Sequence, residues 1–177
     1  QHGFRQRRSC ETSLITTVHD LASNLEKNHQ IDMILLDFSK AFDTVPHKRL
    51  LAKLDHYGIR NSTHLWIQNF LTDRTQEVLV EGCKSSRVRV SSGVPQGTVL
   101  GPLLFLLYIN DMPTTISPGT SIKLFADDAM LYRTINKLTD ATALHDDLDR
   151  LIDWEQTWQM SFNPSKCQVM RITRSNS

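Results

Sequence analysis

Apolar residues along this chain fall into stripes at helical spacing and into short continuous runs, which predict its helices and strands. Beyond Ser9 the apolar positions recur at helical spacing, which predicts an amphipathic helix. Residues 31–38 form a mainly apolar run, interrupted by Asp32, which is short enough for a buried strand and has the charged Asp37 at its end. Pro46 and Gly58 then bracket a second helix. The stripe of the first helix consists of Leu14, Ile15, Val18, Leu21, Ala22 and Leu25.

The middle of the chain contains a hairpin pattern and a loop. After a short helix around Trp66, alternating valines on both sides of Gly82 predict a hairpin with its loop near residues 82–85. Residues 91–101 are rich in Gly, Ser and Pro, which predicts a loop. This loop leads into an apolar helix that reaches Ile109.

The last third of the chain predicts two strands, a helix and a final strand. Residues 122–126 and 129–134 look like strands joined through an Asp-Asp pair, and residues 144–152 carry an amphipathic helix pattern. Residues 169–172 suggest the last strand. The core order is therefore β-α-β-β-α-β, an α+β fold of the ferredoxin-like kind with helices covering one face of the sheet. Because this topology hosts many functions, it does not decide the function by itself.

Composition and charge narrow the class of protein only modestly. With 40% hydrophobic and 22% charged residues among 177, the chain is expected to form an ordinary globular domain. The formal charge of +1 does not by itself indicate a nucleic-acid partner. Basic clusters around Arg5 and Arg8, and around Arg87 and Arg89, could still contact phosphates, although such clusters are more often solvated charge.

Cysteine usage and apolar run length exclude two further classes. The three cysteines are isolated, which favours a reducing intracellular compartment and argues against a disulfide framework or a zinc site. The longest apolar run, residues 99–109, is too short to span a bilayer, so we expect no membrane association. Because the chain starts at Gln1, inside what looks like a motif, we interpret it as an internal piece of a longer protein.

Three aspartates lie next to hydrophobic strands, at positions where an acidic residue is seldom found. Asp37 ends the first core strand, and Asp127 and Asp128 lie where two later strands turn. In a βαββαβ sheet the first and third strands are neighbours, so these acids are expected to converge. Converging carboxylates repel each other unless cations lie between them, and hard oxygen ligands favour Mg²⁺ or Mn²⁺. An isolated Asp-Asp pair is more often a simple turn, but the apolar flanks and Asp37 favour a metal site.

Five motifs, in order along nearly the whole chain, resemble those of the reverse transcriptases of non-LTR (LINE-type) retrotransposons. They are QHGFRQRRS at residues 1–9, ILLDFSKAFDTV at 34–45, SSGVPQGTVLGPLLFLLYINDMP at 91–113, KLFADDAMLY at 123–132 and NPSKC at 163–167. The particular residues of the DFSKAFD and FADD motifs favour this branch over retroviral enzymes and group II intron maturases. The resemblance implies an RNA-directed DNA polymerase in which the ferredoxin-like sheet is the palm of a right-hand polymerase, with part of the fingers.

The resemblance also implies roles around the catalytic metals. Asp37, Asp127 and Asp128 would hold two Mg²⁺ ions, or Mn²⁺, with the backbone carbonyl of Phe38 as a further ligand. The primer 3′-hydroxyl would attack the α-phosphate of a dNTP without a covalent enzyme intermediate. Lys166 resembles the lysine proposed to protonate the leaving pyrophosphate, although a lone lysine is usually solvated surface.

Other residues are expected, by resemblance, to bind the nucleotide and the nucleic acid. Phe42 stands at the steric-gate position of the family, where a ring excludes a 2′-hydroxyl; the alternative is that it is only a core residue. Gln96 and Gly97 would contact the incoming nucleotide, and Gly97 would let the backbone approach it without a Cβ; the alternative is a routine loop before a buried helix. The residues expected to contact template or primer are Arg5, Arg8, Arg87 and Arg89.

The resemblance divides the chain into a fingers segment, residues 1–30, and the palm, residues 31–177, with an inserted hairpin near residues 76–91. Its partners would be an RNA template, a DNA primer, dNTPs and the remaining domains of a parent polyprotein, in the nucleus and cytoplasm. The upstream fingers and the thumb would lie outside the chain, so we expect the chain alone to be inactive or very weak. Two other classes stay open: a non-catalytic nucleic-acid-binding module derived from a polymerase, and a nucleotide cyclase, although cyclases lack the SGVPQG loop and the FADD hairpin.

Overall fold

The computed structural model describes residues 1–174, and the chain divides into two compact units. One unit consists of residues 1–39 together with 109–177, and the other consists of residues 40–108. In chain order the elements are α1 (Cys10–Glu26), β1 (Gln30–Leu36), α2 (Ala41–Thr44), α3 (His47–His56), α4 (Asn61–Leu71), β2 (Thr75–Gln76), β3 (Leu79–Val80), β4 (Cys83–Lys84), β5 (Val88–Arg89), α5 (Leu100–Ile109), a 3₁₀ helix (Met112–Thr115), β6 (Thr120–Phe125), β7 (Asp128–Ile135), α6 (Leu138–Trp158) and β8 (Gln168–Ile172).

Four antiparallel strands form the main sheet in the order β6-β7-β1-β8. The central pair is β1 with β7, and their register sets Leu36 opposite Ala129. β6 and β7 form a hairpin that closes with Phe125 opposite Asp128. Since helices separate β1 from β6 and β7 from β8, this is the βαββαβ topology, and the predicted α+β fold is confirmed.

Helices cover both faces at the centre of this sheet, and our prediction of one covered face was wrong. Leu131 and Tyr132 are neighbours on β7, so their side chains point to opposite faces, yet both are buried. Tyr132 packs in a cluster with Ile31, and Leu21 and Leu25 of α1 pack against that cluster. α6 packs against β6 and β7. The second layer comes from α1, which precedes the βαββαβ pattern and was not counted in it.

α1 begins where the sequence predicts, but its apolar stripe is only partly buried. Ser9 is the N-cap: its side chain accepts from the Thr12 N–H, and the Thr12 side chain accepts from the Ser9 N–H. Leu21 and Leu25, in the second half of the stripe, pack toward the sheet. The members that are more than half exposed are Leu14, Ile15 and Val18.

A buried carboxylate fixes α6 to the segment that precedes β6. Asp147 is fully buried, and its two oxygens accept from the N–H and the hydroxyl of Ser117, each at 2.8 Å. Arg150, on the next turn of α6, also donates to it. Burial acts to raise the pKa of Asp147, but hydrogen bonds from Thr120, Ser117 and Arg150 outweigh burial and hold this pKa below its ordinary value. The folded unit therefore favours the ionised carboxylate.

The helices of residues 40–108 begin and end close to the predicted positions. Pro46 is the N-cap of α3, and Gly58 follows its C-cap with a φ of 84°. Leu50 and Leu54 of α3 and Phe105 of α5 are fully buried. No helix between residues 1 and 174 combines the length and the apolar character needed to cross a bilayer.

The predicted hairpin is present in residues 40–108, but its pairing is interrupted. β2 pairs with β5 and β3 pairs with β4, as two separate two-stranded sheets. Glu81 and Gly82 both have positive φ and form the turn, so the loop lies earlier than the predicted residues 82–85. Ser85 interrupts the ladder, because its hydroxyl oxygen accepts a hydrogen bond from the Val78 N–H. The Ser85 N–H donates to the Val78 carbonyl.

Candidate active site

Strand register brings two of the predicted acids face to face at one end of the main sheet. Leu36 is the last residue of β1, and it pairs with Ala129 of β7. The next position in the same antiparallel register sets Asp37 opposite Asp128. Both acids line one cavity of about 350 Å³, which Lys166 also lines.

Asp127 lies in the turn between β6 and β7. Because Phe125 pairs with Asp128, the turn consists of Ala126 and Asp127, and not of the two acids as the sequence suggested. Ala126 has a φ of 52°, a conformation that residues with a Cβ seldom adopt. Asp128 is therefore the first residue of a strand, so the sheet sets its position, while the turn sets that of Asp127.

The three carboxylates act on one another electrostatically. The pKa of Asp128 is raised, first by burial and then by the negative charges of Asp127 and Asp37, while Lys166 opposes the shift. Lys166 Nζ lies 3.4 Å from Asp37 Oδ1 as an ion pair without hydrogen-bond geometry. Asp37 Oδ1 is buried and receives no hydrogen bond from residues 1–174. A buried carboxylate oxygen without a donor is a group that a cation would stabilise.

The backbone carbonyl of Phe38 is not used by the pairing next to it. Phe38 and Phe162 face each other in an isolated antiparallel bridge, and their rings stack with centroids 4.6 Å apart. In this bridge the Asn163 N–H donates to the carbonyl of Asp37 at 2.7 Å. Alternate carbonyls of an antiparallel strand point to opposite sides, so the Phe38 carbonyl points away from this partner.

These oxygen donors fit a hard divalent cation. Among residues 1–174, no group of three or more His, Cys, Asp or Glu side chains is gathered closely enough to hold a metal ion. The acids nevertheless repel one another, and one of their oxygens is buried without a donor. The case for a Mg²⁺ site therefore rests on the oxygen donors and on the repulsion among the carboxylates, and not on a preformed cluster. The suitable ligands are Asp37, Asp127, Asp128 and the Phe38 carbonyl.

Within residues 40–108, Phe42 stacks on a core aromatic ring. Its ring centroid lies 4.2 Å from that of Phe105, with an angle of 21° between the ring planes. Phe42 itself is half-buried, and its carbonyl accepts from the Val94 N–H at 2.8 Å. One face of the Phe42 ring therefore packs against the core. Packing in the core is compatible with a second role in which the ring sterically excludes a 2′-hydroxyl.

The loop that carries Gln96 and Gly97 is fastened to α2 by Asp43, which the sequence reasoning had not singled out. Gln96 Nε2 donates to Asp43 Oδ1 at 2.7 Å, and the Ser92 hydroxyl donates to the Asp43 carbonyl at 2.9 Å. Gly93 lies so close that a Cβ there would come within 2.7 Å of the Asp43 carbonyl oxygen. Gly97 has a φ of 74°, which favours glycine. The available signal was the second acid of the DFSKAFD motif.

The four arginines that we predicted to bind nucleic acid are exposed, and two of them are in ion pairs. Arg87 Nε lies 3.3 Å from a Glu77 oxygen, and Arg89 lies 2.6 Å from an Asp73 oxygen. Exposed ion pairs contribute little stability, so phosphates can compete for both guanidinium groups. The other two are Arg5 and Arg8.

Arg89 and Gln96 line the same cleft within residues 40–108. The cleft has a volume of about 520 Å³ and is also lined by Lys40, Arg74 and Asp43. Three cations against one carboxylate make this cleft suitable for an anionic ligand.

The chain belongs to the family described as reverse transcriptase (RNA-dependent DNA polymerase), which it matches over residues 1–176. It is 34% identical over 175 residues to the RNA-directed DNA polymerase from mobile element jockey of Drosophila melanogaster, covering 94% of this chain and 19% of that protein. It is 27% identical over 168 residues to a retrovirus-related Pol polyprotein from type-1 retrotransposable element R2 of Popillia japonica, covering 88% of this chain and 27% of that one. The chain thus spans about a fifth to a quarter of these curated relatives. The predicted resemblance is confirmed.

Solved structures of telomerase share the fold. Apo telomerase from Candida tropicalis, truncated from its C-terminal domain, has a TM-score of 0.69 at 15% identity, covering 96% of this chain and 36% of that one. Telomerase from Candida albicans, in complex with a fragment of telomeric RNA, has a TM-score of 0.65 at 13% identity, covering 92% and 31%. At such low identity the likeness shows the fold, which is that of a right-hand polymerase.

Proposed function

We propose that the chain is the palm, with part of the fingers, of an RNA-directed DNA polymerase from a non-LTR retrotransposon polyprotein. The observation that carries this proposal is the register that sets Asp37 opposite Asp128, with Asp127 on the adjoining turn. The reaction is templated addition of a dNTP to the 3′-hydroxyl of a DNA primer, with RNA as the template. Residues 1–30 would be a fingers segment and residues 31–177 the palm, acting in the nucleus and cytoplasm.

Asp37, Asp127, Asp128 and the carbonyl of Phe38 would hold two Mg²⁺ ions, or Mn²⁺. When bound, such ions lower the pKa of an attacking hydroxyl and neutralise charge on the transferred and leaving phosphates. The contribution of the protein is to fix the ligands. The β1–β7 register fixes Asp37 and Asp128, and no side chain needs to form a covalent intermediate.

Lys166 would donate a proton to the leaving pyrophosphate. Its Nζ pairs with Asp37 Oδ1 at 3.4 Å, and the residue lines the same cavity as Asp128. Because the Lys166 side chain is 62% exposed, the ammonium group can move from Asp37 to a phosphate oxygen. This placement supports a role that the sequence offered only through resemblance.

Phe42, Gln96 and Gly97 would bind the incoming nucleotide. Asp43 accepts a hydrogen bond from Gln96 Nε2, and the amide oxygen would then accept a hydrogen bond from the nucleotide. A Cβ built on Gly97 would meet no atom within 4 Å, so this backbone is open to a ligand. The residues that would contact template or primer phosphates are Arg5, Arg8, Arg87 and Arg89.

Sugar selection gives one expected result. Phe42→Val removes the ring that stacks on Phe105, so a 2′-hydroxyl should no longer be excluded. We expect the preference for dNTP over rNTP to fall by about 10- to 200-fold, because one pocket contact of this size is being removed. The ratio of kcat/KM values in primer extension measures it. Phe70→Val is the control, since Phe70 is another half-buried aromatic residue of the same unit. An unchanged ratio would refute the gate assignment.

RNA-templated primer extension by the full parent polypeptide tests the proposed function. We expect DNA synthesis whose product length follows the template and which requires added Mg²⁺ or Mn²⁺. A non-catalytic binding module would bind the primer–template without extending it, and a nucleotide cyclase would consume nucleoside triphosphate without a primer. The chain of 177 residues alone is expected to be inactive or very weak, because upstream fingers and thumb residues would complete the site.

A further inference from the structure

The side chain of Gln1 holds the turn that precedes the paired acids. Gln1 Oε1 accepts from the Ala126 N–H at 2.9 Å, and Gln1 Nε2 donates to the Ala126 carbonyl at 3.2 Å. One side-chain amide thus satisfies both backbone polar groups of the residue before Asp127. Because a backbone N–H only donates and a carbonyl only accepts, these partners fix the orientation of the amide.

The next two residues strengthen this contact. The His2 N–H donates to the Leu124 carbonyl of β6 at 2.8 Å, and the Gly3 N–H donates to Gln1 Oε1 at 2.8 Å. Gly3 is buried, and a Cβ there would lie 2.3 Å from the backbone nitrogen of Ala126. Only glycine permits so close an approach, so residues 1–3 pack directly on the turn.

This turn requires support from outside itself. The φ of Ala126 is 52°, and a residue with a Cβ is strained there. Such conformations persist only where the surrounding structure imposes them. The two hydrogen bonds between the Gln1 side chain and the Ala126 backbone are such a constraint, and a relaxed turn would displace Asp127 relative to Asp37.

We propose that Gln1 is a positioning residue of the carboxylate site, which keeps the turn at residues 126–127 in the conformation that presents Asp127 to the cations. This inference rests on the proposed function, because it adds a residue to that site. Gln1 acts through the backbone of Ala126 and touches neither cation nor substrate. Residues that orient metal ligands in this indirect way commonly alter metal affinity by about 10- to 100-fold.

Mn²⁺ titration of the full parent polypeptide, followed by electron paramagnetic resonance, tests the role of Gln1. Gln1→Ala removes the side chain, whereas Gln1→Met keeps its length and removes its donor and acceptor. We expect both changes to raise the Mn²⁺ dissociation constant about tenfold, and to raise the Mg²⁺ concentration for half-maximal extension by the same factor. Gln6→Ala is the matched control, because Gln6 is a second, exposed glutamine of the same segment.

Amide hydrogen exchange supplies a readout that needs neither metal nor activity. The Ala126 N–H should exchange faster in both Gln1 variants and at the wild-type rate in Gln6→Ala. Wild-type Mn²⁺ affinity in Gln1→Met, or equal losses in Gln6→Ala, would overturn the positioning role. Failure of the proposed function would look different: the wild type would not extend a primer, or Asp127→Asn would bind Mn²⁺ as tightly as the wild type.

Discussion

Asp127→Asn is expected to abolish RNA-templated primer extension, lowering kcat by about 10³-fold or more, which corresponds to about 4 kcal/mol. Asparagine keeps the size of aspartate and one neutral oxygen but loses the charge that binds a divalent cation. Asp37→Asn should have an effect of the same size, since both residues would be ligands of the two cations. The measurement is single-turnover extension of a DNA primer on an RNA template by the full parent polypeptide.

A loss of activity in Asp127→Asn must be distinguished from a loss of folding. The charge of Asp127 contributes to the raised pKa of Asp128, so its removal relieves repulsion. The metal-free variant should therefore unfold at the same temperature as the wild type or at a slightly higher one. Asp149→Asn, at an exposed acid of α6, is the control and should extend normally. Full extension by both Asp37→Asn and Asp127→Asn would contradict the proposed metal site.

The largest expected effect on stability lies outside the proposed site, at Asp147. Asp147→Ala leaves the Ser117 N–H and hydroxyl, and the Arg150 guanidinium, without their buried acceptor. We expect the free energy of unfolding to fall by about 3–5 kcal/mol. Urea unfolding measures it, and the matched control is Asp146→Ala. Because Asp146 is the exposed neighbour, that change should stay within about 0.5 kcal/mol of the wild type.

The pH dependence of this effect has a definite sign. The pKa of Asp147 is lowered in the folded state, so its contribution is complete above the pKa of the unfolded chain. As the pH falls through the folded pKa, the carboxylate takes up a proton and the contribution is lost. The difference in unfolding free energy between wild type and Asp147→Asn should therefore shrink on acidification. A difference that stayed constant down to strongly acidic pH would show that packing, and not the charge, is responsible.

Sequence patterns predicted the strands of the sheet and placed Asp37 and Asp128 near strand ends. Both predictions follow from apolar runs and from the residues where those runs end, which are short-range features. Residues 31–38 are apolar apart from Asp32 and Asp37 and too few for a core helix, so a buried strand is the predicted outcome. Once Leu36 pairs with Ala129, the antiparallel register leaves Asp37 no partner position other than that of Asp128. The turn was placed one residue too late, because Asp-Asp is itself a good turn sequence and Ala126 is a poor residue for positive φ.

Contacts between distant side chains and backbone groups could not be predicted in this way. Gln1 bonds to Ala126 across 125 positions, and Gln96 bonds to Asp43 across 53, with no periodicity that would reveal either pair. The extent to which α1 is buried could not be predicted, for a related reason. An apolar stripe shows which side of a helix is apolar, but not whether another element covers it, and Ile15 is 66% exposed.

Cation binding at the proposed site, beside the buried Asp37 oxygen and the mutually repelling acids, would have a consequence for the lifetime of the protein in the cell. A cation that binds only the folded chain adds about 2.7 kcal/mol to stability when its concentration is a hundred times its dissociation constant. Unfolded polypeptide is the substrate of proteases, so a small change in that population alters abundance several-fold. Divalent-ion supply would then govern how much of the polypeptide survives degradation, in addition to how fast each surviving molecule works.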